Sequence, residues 1–199
     1  LAAAGVHIEV HAGAAQPLVE TRIDARHVHG EDGLGGAPRP TERRDLAGWD
    51  AVQFLTATLS AAADSADPVD LLMVGPLTNL ALALRRTPRI TKGIGRLTVM
   101  AGTHNGRGNV TPAAEFNIFC DPEAAAIVLG AGLGATGVPW EPCLSHFLVG
   151  SDIDRVLEAA PDSEYKAFVR GLVAHERSRH MREGKGDLRD LLFRFNTMT

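Results

Sequence analysis

The chain has 199 residues, a formal net charge of −4 and a pI near 6.1. That length accommodates one large domain or two small ones with a core of useful size. The acidic balance gives no basic footprint for nucleic acid, and no run approaches the ~18 consecutive apolar residues of a membrane span. Cys120 and Cys143 lie far apart with no CxxC pair, which argues against a disulfide scaffold and against a cysteine zinc site. Residues 1–4 are too short for a signal peptide and lack its basic flank. Both ends read as cuts through a longer protein.

The elements alternate along the chain. Residues 8–12 form a short β-like run closed by Gly13. Residues 21–41 carry six glycines and prolines and two histidines, so they read as a functional loop. Val52, Leu55, Leu59 and Ala62 recur at helical spacing, and Asp67-Pro68 ends that helix. Residues 69–74 are a compact apolar run that predicts a buried strand. Gly75-Pro76 turns the chain into a helix with Leu77, Leu80, Ala81 and Leu84 on one face, and Pro76 suits its first position. Residues 97–100 predict the next strand, followed by a polar glycine loop over 102–108. Asp121-Pro122 opens another helix as N-cap and first residue, and Gly130 and Gly132 end it. Residues 135–138 suggest a short strand. Residues 151–154 resemble a capping box, ahead of a longer helix bearing Tyr165, Phe168, Val169, Leu172 and Val173. Gly184 and Gly186 interrupt that pattern before residues 188–195.

This alternation implies an α/β fold with a mostly parallel sheet flanked by helices, Rossmann-related in type. Ligands of such sheets sit beyond the carboxyl ends of the strands. Three loops meet that description: 75–78, 101–117 and 139–146.

Some motifs fail on context. Gly132, Gly134 and Gly137 match GxGxxG but follow a helix and precede a strand, the reverse of a dinucleotide fingerprint. That order argues against a nucleotide-dependent oxidoreductase. His27 and His29, two apart on an extended stretch, would face one side, yet a zinc site needs a third ligand at a suitable spacing.

The chemistry concentrates in residues 102–121. Asn109, Glu115 and Asn117 offer one carboxylate and two carboxamides within nine positions, in the loop after a buried strand. Carboxamides donate and accept, and a carboxylate accepts strongly. Such a set suits a ligand rich in hydroxyl groups, such as a sugar. Glu115 and Asn117 are expected to point one way from an extended segment, with Phe116 pointing the other. A capped loop in which Asn109 and Asn117 bond local backbone is the equal alternative.

At these residues the chain resembles the inosine–uridine-preferring nucleoside hydrolases. The motifs occur in order: Gly-Pro-Leu-Thr-Asn-Leu-Ala at 75–81, Met100-Ala101-Gly102 where the family has Met-Gly-Gly, Gly108-Asn109, Ala-Glu-Phe-Asn at 114–117, and Asp-Pro-Glu-Ala-Ala at 121–125. His27-Val28-His29-Gly30 and Gly33-Leu34-Gly35 match an earlier family segment. The likeness runs from residue 6 to about residue 146 and is weak beyond 150.

The resemblance implies a nucleoside-hydrolase-like fold and hydrolysis of the N-glycosidic bond of ribonucleosides to free base and ribose. It implies Ca²⁺ as cofactor in the complete protein and a ribonucleoside as partner. It further implies a homo-oligomer in the cytoplasm serving nucleoside catabolism and purine salvage. Carried over, Asn109, Glu115 and Asn117 hold the ribose hydroxyls, and Met100 lies near the sugar. The Val74 carbonyl is a calcium ligand, and His29 stands on the base side. The family's Asp-rich N-terminal motif, with its catalytic base, and its late His-Asp pair have no counterpart in residues 1–199. The chain therefore reads as a single incomplete domain, expected to be inactive alone and to bind Ca²⁺ weakly. A nonenzymatic relative that keeps the sugar loop is the alternative.

Overall fold

The structure is a computed structural model and describes residues 6, 8–41, 45–48, 50–148, 150–182 and 193–194, with 147–148 and 193–194 described by their backbone alone. The expected break at Gly184–Gly186 and most of the segment 188–195 lie outside the described residues. The chain falls into two compact units, one of Leu1–Ile8, Asp24–Asp45 and Cys143–Phe195, the other of Glu9–Ile23, Leu46–Pro142 and Asn196–Thr199.

The second unit holds a parallel three-stranded sheet in the order β1 (Val69–Met73), β2 (Ile94–Met100), β3 (Thr136–Val138). This is the α/β class expected from the sequence, and its two crossovers are helical. Helix α2 (Ala51–Ser65) precedes β1. Helix α3 (Thr78–Arg86) and a 3₁₀ turn (Pro88–Gly93) lead to β2. Helices α4 (Phe116–Cys120) and α5 (Pro122–Gly130) lead to β3.

The helices form where capping and periodicity agree. Asp50 caps α2 by accepting the Gln53 N–H at 2.7 Å. Asp121 caps α5 by accepting the Ala124 N–H at 3.0 Å, with Pro122 following as foreseen. Helix α3 starts at Thr78, two residues after Pro76, and ends with Arg85 and Arg86 at its negative pole. The core joins Leu59 of α2, Leu80, Ala83 and Leu84 of α3, Ile94, Leu97 and Val99 of β2, and Ala124 and Val128 of α5. Truncating a fully buried leucine such as Leu80 costs about 2–5 kcal/mol.

Strand β1 is half-buried, not fully buried as expected. Leu71 and Met73 pack on the core, while Asp70 and Leu72 face outward, Leu72 at 70% exposure. Residues 8–12 are not a strand. The Val10 and Ala12 carbonyls instead accept the N–H groups of Ala47 at 2.9 Å and Ala51 at 2.8 Å.

The first unit contains α1 (Arg26–His29), α6 (Trp140–Ser145, which begins in the second unit), β4 (Phe147–Leu148), α7 (Gly150–Ala159), α8 (Glu164–Arg182) and β5 (Phe193–Arg194). Strands β4 and β5 pair antiparallel. Helix α7 begins at Gly150, so Ser151 lies within it and is not its cap. Arg177 of α8 donates to both oxygens of Asp154 at 2.9 Å. His175 of α8 approaches the Val28 carbonyl of α1 at 3.0 Å.

Candidate substrate site at the carboxyl edge of the sheet

In a parallel sheet every strand delivers its following loop to the same edge. Strand β1 ends at Met73 and delivers Val74, β2 delivers Ala101 and Gly102, and β3 delivers Pro139 to Glu141. Residues of the first two connections meet at α4, and Trp140 of the third bonds the Gly102 carbonyl of the second.

Glu115 is the N-cap of α4, with φ −85° and ψ 146°. Its Oε1 accepts the Asn117 N–H at 3.0 Å, and its Oε2 accepts the N–H groups of Gly102 at 3.0 Å and Ile118 at 3.3 Å. This corrects the extended geometry expected for residues 115–117. A carboxylate preceding free backbone N–H groups caps a helix, and the segment winds. Glu115, Phe116 and Asn117 are all buried, at 2%, 8% and 2% exposure.

Asn117 bridges strand ends. Its Nδ2 donates to the Met100 carbonyl at 2.9 Å and lies 3.4 Å from both Met100 Sδ and the Val74 carbonyl. The Asn117 side-chain contacts are therefore long-range, unlike the local bonding of the capped-loop alternative. Asn109 does bond locally, its Oδ1 accepting the Phe116 N–H at 2.8 Å. Asn109 Nδ2 and Asn117 Oδ1 remain buried without a hydrogen-bond partner. Such orphans are uncommon in native interiors.

The backbone around them is built for close approach. Gly102, at φ +73°, turns its N–H toward Glu115 and its carbonyl toward the Trp140 N–H at 2.9 Å. A Cβ on Gly108 would stand 2.1 Å from the Ala114 carbonyl oxygen, so only glycine allows the loop to fold back there.

Beneath the site, Asp121 is fully buried and joins three segments. Its Oδ2 accepts the Thr78 hydroxyl at 2.6 Å and the Leu18 N–H at 3.0 Å, while Oδ1 caps α5. The Asp-Pro spacing reveals the cap, but the bonds to Thr78 and Leu18 bridge 43 and 103 positions, which no local pattern shows. The Cys120 thiol is pushed up to about 11, first by burial and then by the charges of Glu115 and Asp121.

The structure thus groups Met100, Asn109, Glu115, Asn117 and the Val74 carbonyl within one unit. His29 lies in the other, on the single turn of α1. On a helix, residues two apart do not share a face, so the extended reading of His27-x-His29 is corrected. His29 Nε2 is buried without a hydrogen-bond partner. Burial holds its pKa below the ordinary value, while the nearby Glu176 acts in the opposite sense.

The family model for inosine-uridine preferring nucleoside hydrolases matches residues 1–193. The chain belongs to this family. It is 41% identical over 128 residues to the pyrimidine-specific ribonucleoside hydrolase RihB of Escherichia coli, covering 64% of this chain and 40% of that protein. It is 40% identical over 132 residues to an uncharacterized protein of Schizosaccharomyces pombe, covering 66% and 42%. Among solved structures, a plant nucleoside hydrolase aligns with a TM-score of 0.76 at 30% identity, covering 90% of this chain and 56% of that one. An inosine-guanosine nucleoside hydrolase aligns with a TM-score of 0.76 at 28% identity, covering 89% and 59%. The chain spans less than half the length of the curated relatives it matches.

The family resemblance brings a metal ion into question. Calcium takes six to eight oxygen ligands, several of them carboxylates. Among the described residues, no group of three or more His, Cys, Asp or Glu side chains is placed to hold a metal ion. Glu115 is committed to three backbone N–H groups and the Val74 carbonyl lies near Asn117 Nδ2. The described residues therefore do not by themselves fit a calcium ion.

Proposed function

We propose that the whole protein hydrolyses the N-glycosidic bond of ribonucleosides, and that Asn109, Glu115 and Asn117 bind the ribose. The observation that carries this reading is the pair of buried, unpartnered atoms, Asn109 Nδ2 and Asn117 Oδ1, beside a buried carboxylate. A ribose diol complements them, since each hydroxyl both donates and accepts. Asn109 Nδ2 donates to one hydroxyl, Asn117 Oδ1 accepts from one, and Glu115 accepts through a remaining lone pair. Met100 lines the sugar side through its Sδ, next to Asn117.

The reaction cleaves the bond between C1′ and the base nitrogen. Its electron pair leaves with the base, water adds at C1′, and a water proton completes the departing base. Positive charge builds on the sugar in between, as in other glycosyl hydrolysis. The hydroxyl protons become more acidic, so their bonds to Glu115 and Asn117 tighten in the transition state and lower the barrier.

The same proposal gives the whole protein Ca²⁺ dependence, with the Val74 carbonyl as one ligand, a homo-oligomeric assembly, and a cytoplasmic role in nucleoside catabolism and purine salvage. His29 is proposed to contact the base, on the family resemblance alone. A single domain over residues 1–199, incomplete relative to the family, belongs to this reading too.

The test is ribose release from inosine and from uridine by the full-length protein, with CaCl₂ and after EGTA. Turnover that chelation abolishes and calcium restores is expected. No ribose from either nucleoside at millimolar CaCl₂ overturns the reading. Loss of base discrimination in His29→Ala is expected, and unchanged turnover of both nucleosides in that variant removes His29 from the site.

A further inference from the structure

Glu141 stands in the first turn of α6, three residues beyond the end of β3. Its carboxylate takes two backbone N–H groups from the loop that follows β2. The His104 N–H lies 3.0 Å from each oxygen, and the Asn105 N–H lies 2.9 Å from Oε1. The preceding residue adds a third grip, the Trp140 N–H donating to the Gly102 carbonyl at 2.9 Å.

These bonds bear directly on the polar cluster. Gly102, held from one side by Trp140, donates its own N–H to Glu115 Oε2 at 3.0 Å. Past the clamp, Asn105 Oδ1 accepts the Arg107 N–H at 3.1 Å, and the Asn109 N–H reaches the Ala114 carbonyl at 3.0 Å. The chain from Gly102 to Asn109 thus leaves the cluster, is caught at its far end by Glu141, and returns with Asn109. Strand β3 fixes the position of the catch, because it pairs with β2 from Thr98 to Met100.

We propose that Glu141 is a positioning residue for the ribose site: by clamping the backbone at His104 and Asn105 it orders the loop that places Gly102 against Glu115 and returns Asn109 to the cluster. The inference rests on the ribose-binding reading of that cluster. A carboxylate accepting backbone N–H groups makes charge-assisted bonds, stronger than neutral ones. Without them, ordering the exposed tip of the loop would have to be offset elsewhere, at a conformational-entropy cost for each residue fixed. The two amides, Asn105 first and then His104, also hold the Glu141 carboxyl below its ordinary pKa, as expected for an acceptor engaged in its charged form. Glu141 itself acts through the loop and needs no contact with substrate.

The experiment compares wild type, Glu141→Ala and Glu141→Gln in the full-length protein, by amide hydrogen exchange and by steady-state hydrolysis of inosine and uridine. The glutamine keeps a neutral acceptor and is the milder variant. In Glu141→Ala the amides of His104 and Asn105 are expected to exchange about tenfold faster, with a smaller change in Glu141→Gln and none at Leu80 and Val128 of the core. The kcat/KM should fall about tenfold in the same order, at an unchanged urea midpoint. Unchanged exchange at His104 and Asn105 in Glu141→Ala overturns the clamp. Faster exchange with unchanged kcat/KM overturns its role in the site. A wild type that hydrolyses neither nucleoside overturns the ribose reading and with it the role in the site, while the exchange result still decides the clamp.

Discussion

The Asn117 side chain donates to the Met100 carbonyl at 2.9 Å, and this bond ties the first turn of α4 to the carboxyl end of β2. It also fixes the amide's orientation. With Nδ2 occupied by backbone, Oδ1 is left as the buried, unpartnered end.

An aspartate at this position reverses the chemistry. Asn117→Asp places an acceptor against the Met100 carbonyl and buries a charge without a partner. The expected cost is about 1–3 kcal/mol of stability or more. Urea denaturation of the full-length variant checks this, and a midpoint equal to wild type contradicts it.

Asp121 is the deeper anchor. Asp121→Ala leaves the Thr78 hydroxyl and the Leu18 and Ala124 N–H groups without their carboxylate. The loss of the cap and of buried partners is expected to cost about 2–4 kcal/mol, against about 1 kcal/mol for Thr78→Val. Equal, small losses in both variants would show that the three segments do not depend on Asp121.

Much of this arrangement was legible in the sequence, for identifiable reasons. Leu80, Ala81 and Leu84 recur at helical spacing, and Asp121-Pro122 is a local capping signal, so α3 and α5 follow from neighbouring residues. The parallel order follows from the alternation of strands and helices. Glu115 was harder to read. Its side chain serves as a cap for a five-residue helix, too short to show a period, so residues 115–117 suggested extension. Residues 8–12 look like a strand, but their carbonyls bond Ala47 and Ala51, distant in sequence. Glu141 gave no sign of its own beyond membership of a loop at the carboxyl edge. Its partners are backbone N–H groups 36 and 37 positions away, and every residue type except proline has that group.

Cys120 reports on the charge of the site. With its thiol pushed up to about 11, little thiolate exists at pH 8. Iodoacetamide labelling, followed by peptide mapping, is expected to be slow at pH 8 and to accelerate as the pH approaches 11. Glu115→Gln removes one of the negative charges that raise the thiol, so labelling at pH 8 should quicken. Labelling of the wild type at the rate of a free, exposed thiol contradicts the burial and the charges together.

Asp70 and Arg96 pin β1 to β2 where the register shifts. Asp70 Oδ1 accepts the Arg96 backbone N–H, and Oδ2 accepts its Nε, each at 2.8 Å. The Arg96 guanidinium and then its N–H hold the Asp70 carboxyl below the usual carboxylate range. A depressed folded-state pKa stabilises above the unfolded value and ceases to as pH falls through the folded value. Asp70→Asn is therefore expected to lower Tm slightly at pH 7, with the gap to wild type closing at acidic pH. A gap independent of pH contradicts the pairing.

The central claim is recognition of ribose hydroxyls by the buried cluster. It is tested most directly by the ratio of kcat/KM for inosine to that for 2′-deoxyinosine and 3′-deoxyinosine, in the full-length wild type and in Glu115→Gln. Loss of a contact that strengthens in the transition state costs about 2–4 kcal/mol. The wild type should therefore prefer inosine over at least one deoxy analogue by that margin, and Glu115→Gln should lose most of the preference. Equal turnover of inosine and both analogues by the wild type, or an undiminished preference in Glu115→Gln, would contradict it.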